Sequence, residues 1–147
     1  MITPSGIAHT DIMINYVFNL KRTLLYLYQD NLITTSLIDG LYDFIQSKGN
    51  ITYFSFHDDE KSMIYKIKPN LQFVDLYYEI RNYFVNFVLN TLRNSSLQYL
   101  LQKDAFYVDY LSKIDDQSIV NIAQYCITIL NISTDQNEIT IKINLLD

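Results

Sequence analysis

The stretch from Leu71 to Asn94, LQFVDLYYEIRNYFVNFVLNTLRN, limits what this chain can fold into more than any other. Its polar residues Gln72, Asp75, Glu79, Asn82, Asn86, Asn90 and Arg93 recur at gaps of three and four. On an α-helix that spacing gathers them on one narrow stripe. Apart from Arg81, the remaining positions are almost all aliphatic or aromatic. A helix that is apolar over most of its circumference is expected to be buried on most of it, so 71–94 is predicted to be the central buried helix. A membrane span would need about 20 residues without such charges. Asp75, Glu79, Arg81 and Arg93 exclude one here.

A chain of 147 residues has the usual size of one domain, so a single domain over 1–147 is expected. The aromatic content is carried by 13 Tyr and 8 Phe with no Trp. Tyrosine can sit in a core with its hydroxyl at the edge, or it can build an interface. The net charge of −5 argues against a nucleic-acid binder acting alone, because phosphate contact needs clustered Lys and Arg. The nearest approaches to a cluster are Lys21-Arg22 and the looser set Lys61, Lys66 and Lys68. One cysteine, Cys126, cannot form an internal disulfide framework and fits a reducing, cytoplasmic compartment. The opening MITPSGIAHTDIM lacks a basic segment followed by an apolar run, so no signal peptide is expected.

Taken in order, Thr10 or Asp11 is expected to cap a helix running to about Asp30, and Ser36 a second, shorter one that Gly49 ends. Two β-rich runs around the polar tip Asp58–Lys61 predict a hairpin over about 51–68, closed by Pro69. After the central helix, Ser95 or Ser96 should cap a helix over 97–112, and Asp115 or Asp116 a short one from Gln117 to about Tyr125. A second hairpin follows over about 127–145, whose second strand alternates Ile139, Ile141 and Ile143 with Thr140, Lys142 and Asn144. The fold class is α+β and mostly helical. The hairpins overlay without a gap at an offset of 76 residues, pairing Ile51 with Ile127 and Tyr65 with Ile141. That suggests helix–helix–hairpin halves over 10–68 and 71–145, and hairpins joined in one four-stranded antiparallel sheet with helices on one face.

Ser95 to Gln124 followed by ITILNIS carries a leucine-rich helix, a linker, and a short helix entering an apolar extended run. In that hydrophobic spacing, with Leu111, Ile114, Ile119, Val120, Ile122 and Ala123 at the comparable places, the segment resembles the flagellar transcription activator FlhD family. The resemblance rests on Ser95–Gln124, about a fifth of the chain, and runs on to residue 132; it implies a dimer that works on DNA through a partner subunit. The matched motif is a packing motif, so no DNA-contact residue is carried over.

His57-Asp58-Asp59-Glu60 is the sharpest polar cluster. It could bind a hard cation, or with His9 a transition metal, or found a small carboxylate-based enzyme. A solvated hairpin tip, where charged residues are expected, is the favoured explanation. The apolar flanks of Cys126 point to a small core residue rather than a nucleophile. Gly-rich phosphate loops and HExxH are missing, and no catalytic, metal or cofactor residue is assigned. The asparagine ladder Asn82, Asn86 and Asn90, with Tyr78 and Tyr83, is either a solvent stripe or an adaptable interface. The chain is therefore expected to be a non-catalytic interaction or regulatory module that associates with a protein partner or with itself.

Overall fold

The computed structural model describes residues 4–94, 114–133, 135 and 137–146, with side chains from Asn15 onward. The helix expected over 97–112, the residues around Leu111 that carry much of the family resemblance, and the side chain of His9 lie outside what is described. Two helices open the fold, α1 (Pro4–Leu27) and α2 (Asn31–Gln46). Helix α1 begins at Pro4 and not at the expected cap near Thr10, consistent with the tolerance of a first helical turn for proline. Helix α2 likewise starts five residues before Ser36, because Asp30 is its cap. The Asp30 carboxylate accepts the amides of Leu32 and Ile33 at 2.9 and 3.3 Å. The run Ile33-Thr34-Thr35 is a poor helix former. It is held by the cap, by burial of Ile33 and Thr34, and by the Thr34 hydroxyl donating to the Tyr28 carbonyl at 2.8 Å.

Gly49 does not end α2, whose C-cap is Ser47. It opens β1 (Gly49–His57), where a Cβ would come within 2.5 Å of the Lys68 carbonyl. Strand β2 (Ser62–Pro69) returns antiparallel to it across a tip at which Lys61 is left-handed, φ 49°. Pairing slips between Ile51 and Tyr53. This bulge lets Ile51, Phe54 and Phe56 all sit on the same face as their partners Ile67, Tyr65 and Met63.

Beyond α3 (Phe73–Arg93) and α4 (Asp116–Ala123), a 3-10 turn at Gln124–Cys126 leads into β3 (Thr128–Asn131) and β4 (Ile139–Asn144). The four strands form one antiparallel sheet in the order β1-β2-β4-β3. The second strands of the two hairpins meet in the middle, Met63 opposite Ile143, Tyr65 opposite Ile141 and Ile67 opposite Ile139. All six of these side chains are buried. The hairpins do not share a register: Ile67 faces Ile51, whereas Ile143 faces Ile129 and not Ile127.

Helices and sheet close over one continuous core that holds Leu20, Leu24, Leu37, Leu41, Tyr65, Phe84, Ile119 and Ile141. Helix α3 contributes Leu76, Ile80, Phe84, Val85, Val88 and Leu92 to it. That helix is nevertheless open along more than its polar stripe. Val74 is 55% and Tyr78 49% exposed, and Arg81 lies over the Tyr78 ring at 4.9 Å. Expected burial on most sides is thus corrected to burial on one face with half-buried flanks. Arg93 anchors the end of α3 to the start of α4, donating to the Asp116 carboxylate at 2.9 Å and to the Ile114 carbonyl at 2.6 Å. Asp115 caps α4 through the Ser118 amide at 2.7 Å. The bonds from Ser118 hold its carboxyl below the usual range. Among the described residues no helix is long and apolar enough to cross a membrane.

Three titratable groups are sealed in this core. Among the described residues the Tyr28 hydroxyl has no hydrogen-bond partner, the Tyr65 hydroxyl meets the Met63 sulfur at 3.5 Å, and the Cys126 thiol faces the Ile122 carbonyl at 3.7 Å. Burial raises the pKa of all three, the Cys126 thiol to about 12. Each stays protonated when folded at a pH where the unfolded chain releases its proton, at about 8.5 for Cys and about 10 for Tyr. Stability is therefore complete below those values and is lost as the pH rises through them. The urea midpoint should hold steady from pH 7 to 8 and fall above about pH 9, and Tyr28→Phe and Cys126→Ala should each flatten the fall. A midpoint unchanged to pH 11 would contradict this. Separately, Phe84→Ala should lower the unfolding free energy by roughly 3–5 kcal/mol in urea titration, and a loss under about 1 kcal/mol would mean that the ring is not core.

Candidate partner-binding groove

Helix α3 packs beside α2 so that its asparagine stripe borders a groove between the two. One hollow, about 400 Å³, is lined by Phe44, Lys48, Glu79, Asn82, Tyr83, Asn86, Phe87 and Asn90. A second, about 350 Å³, continues it past Phe87 and Asn90 to Asp30, Leu32, Ile33, Ser36, Thr91 and Asn94. Four of the five sequence-predicted interface residues, Asn82, Tyr83, Asn86 and Asn90, therefore share one depression. Tyr78 does not line it and lies outside, against Arg81 and at 5.3 Å from Tyr77.

The floor depends on a close helix approach. The Tyr83 ring stacks on Phe44, centroids 5.1 Å apart. Its hydroxyl occupies the space over Gly40, where a Cβ would meet it at 2.0 Å. Gly40 would read as a weak point inside a helix; here it makes room for that hydroxyl. Partial burial, and then the charge of Asp43, raise the Tyr83 pKa, so the hydroxyl stays a neutral donor and acceptor. At one end Lys48 lies 3.6 Å from Glu79 and 5.3 Å from the Phe44 ring centre. That Glu79 oxygen receives no hydrogen bond. At the other end Leu32 is 82% exposed, an aliphatic side chain left in water at the rim.

Elsewhere the chemistry is sparse. His57, Asp58, Asp59 and Glu60 are all exposed at the β1–β2 tip, with Lys61 bonded to Asp58. No group of three or more His, Cys, Asp or Glu among the described residues is placed to hold a metal ion. A polar hollow of about 670 Å³ lies between the start of α3 and the β3–β4 connection. Local bonds already engage its oxygens: Asn131 accepts from Ser133 at 3.1 and 2.8 Å, and Asp135 from the Asn137 amide at 2.9 Å. The sequence pointed to the asparagines and to Tyr83. It missed Phe87, which lies on α3 beside Asn86, and it missed Phe44, Lys48 and Leu32, because only the packing of α2 and the residues that follow it brings them to the stripe.

The chain matches no family model, no curated protein and no solved structure.

Steric crowding at Gly40 can be measured. Gly40→Ala adds helix propensity worth up to about 1 kcal/mol but collides with the Tyr83 hydroxyl. In a Tyr83→Phe background the collision with the hydroxyl is gone. The substitution should therefore be clearly more favourable in that background than in the native one, by thermal or urea unfolding. Equal effects in both backgrounds would disprove the close approach.

Proposed function

We propose that this protein is a non-catalytic interaction module that binds a protein partner in the α2–α3 groove. The observation carrying the proposal is the row of asparagines along it. The carboxamides of Asn82, Asn86 and Asn90 border the hollows, yet among the described residues none of the three has a hydrogen-bond partner. Aromatic floor, polar rim and an exposed Leu32 are the composition of a protein interface. Neighbouring Tyr78 extends the surface beyond the groove and adds an amphipathic ring of the kind enriched in interfaces.

A second reading is a transcription-regulator subunit that reaches DNA beside a partner, as the FlhD-type resemblance implies. It draws support from the sheet face opposite the core, where Lys66, Lys68 and the half-buried Lys142 alternate with exposed Tyr53 and Leu130. Binding of a short DNA duplex that weakens steeply with salt would favour this reading. No retention at low salt, alone or with its partner, would remove it.

For the leading reading, Asn86→Ala should leave the melting temperature of the isolated protein within about 2 °C, since exposed substitutions stay near ±0.5 kcal/mol. The same change should weaken the captured partner complex at least several-fold by calorimetry or surface-binding kinetics. A variant that is both stable and fully competent in partner binding would contradict the placement of the interface.

A further inference from the structure

Resting on the reading of the groove as a partner site, we infer that the partner enters it as an extended peptide segment, lying along α3 and held by its main chain. The spacing of the ladder carries the inference. Asn82, Asn86 and Asn90 stand four residues apart, which on a helix rising 1.5 Å per residue is about 6 Å. An extended chain turns peptide groups of the same orientation to one side every two residues, about 6.6–6.8 Å. Across both intervals the mismatch is about 1.5 Å, within what asparagine side-chain torsions can absorb. Each carboxamide offers an acceptor and two donors, so each can take both the N–H and the C=O of the chain opposite it. Among the described residues none of the three has a hydrogen-bond partner. An α-helical ligand would leave them idle, because its own backbone groups are already bonded internally.

Side chains of such a segment alternate, and those turned inward meet the two hollows. One has the Phe44–Tyr83 stack as its floor and suits an apolar side chain. The other ends at Asp30. Lys48 and Glu79 face each other at the far end, so Asp30, whose Oδ1 caps α2, is the charge in the groove that no opposite side-chain charge pairs among the described residues. The complementary segment therefore runs to about four or five residues, with an apolar side chain towards Phe44 and a Lys or Arg towards Asp30. Main-chain recognition with alternate side chains in pockets is an established mode of peptide binding.

The test uses the full chain and a phage library of random nine-residue peptides selected on the unaltered protein, each binder then measured against the protein carrying Asn82→Ala, Asn86→Ala and Asn90→Ala. Enriched peptides should share a basic and an apolar residue. In a synthetic copy, N-methylation of alternate amides should raise Kd at least tenfold while methylation of the intervening amides does little. Addition of the peptide to the unaltered protein should shift the side-chain NH₂ resonances of Asn82, Asn86 and Asn90, a readout that does not depend on the variant folding. Failure of the library to yield a binder would overturn the inference. Binders that are helical, or insensitive to methylation, would overturn the extended mode while leaving the groove as a partner site. Equal affinity for the triple variant, with no shift at the three asparagines, would overturn both.

Discussion

Everything in this fold hangs on the seam where β2 meets β4. A two-stranded hairpin in water is marginal, and three or more strands with a covered face are needed for independent stability. Here each hairpin turns its more regular strand inward, and the six side chains from Met63 to Ile67 and from Ile139 to Ile143 that face the core are all buried. The seam joins residues more than seventy positions apart in the sequence, so the closure entropy falls on this one contact before the rest of the core is reached. The less regular strands are left as edges. One carries a bulge between Ile51 and Tyr53, and the other is only four residues long, both ways in which natural sheets discourage edge-to-edge pairing.

Helix α3 ties that sheet to the groove beside α2. Its buried stripe supplies Leu76, Ile80, Phe84, Val85, Val88 and Leu92 to the core, and this fixes its rotation. Once the rotation is fixed, Asn82, Asn86 and Asn90 have nowhere to point but along the border with α2. The groove is thus a by-product of core packing rather than a separately built cleft.

Much of this was legible from residue order alone. The α+β class, the central helix, both hairpins and the alternation of β4 all follow from hydrophobic period, and Asp115 does cap the short helix that precedes β3. Three features resisted for physical reasons. The start of α2 was hidden by the β-branched run Ile33-Thr34-Thr35, which is held helical by the Asp30 cap, by the burial of Ile33 and Thr34 and by the bond from Thr34 to the Tyr28 carbonyl. The bulge in β1 changes the apolar spacing from two to three between Ile51 and Phe54, a break that reads as noise until Ile67 and Tyr65 are seen opposite. The groove could not be foreseen beyond its asparagines, since Phe44, Lys48 and Leu32 reach it through the packing of one helix on another. Polar periodicity marked which stripe is wet, but not what stands across from it.

Native-state hydrogen exchange, read amide by amide, addresses the seam most directly. If β2 and β4 hold the fold together, their mutually bonded amides, from Ser62 to Ile67 and from Ile139 to Asn144, should exchange together and only through global unfolding, at the free energy measured with denaturant. The edge strands should open at lower cost. Amides of β4 exchanging well before those of β1 and β2, with the first hairpin still protected, would mean that the hairpins stand independently and that the seam is not what the structure rests on.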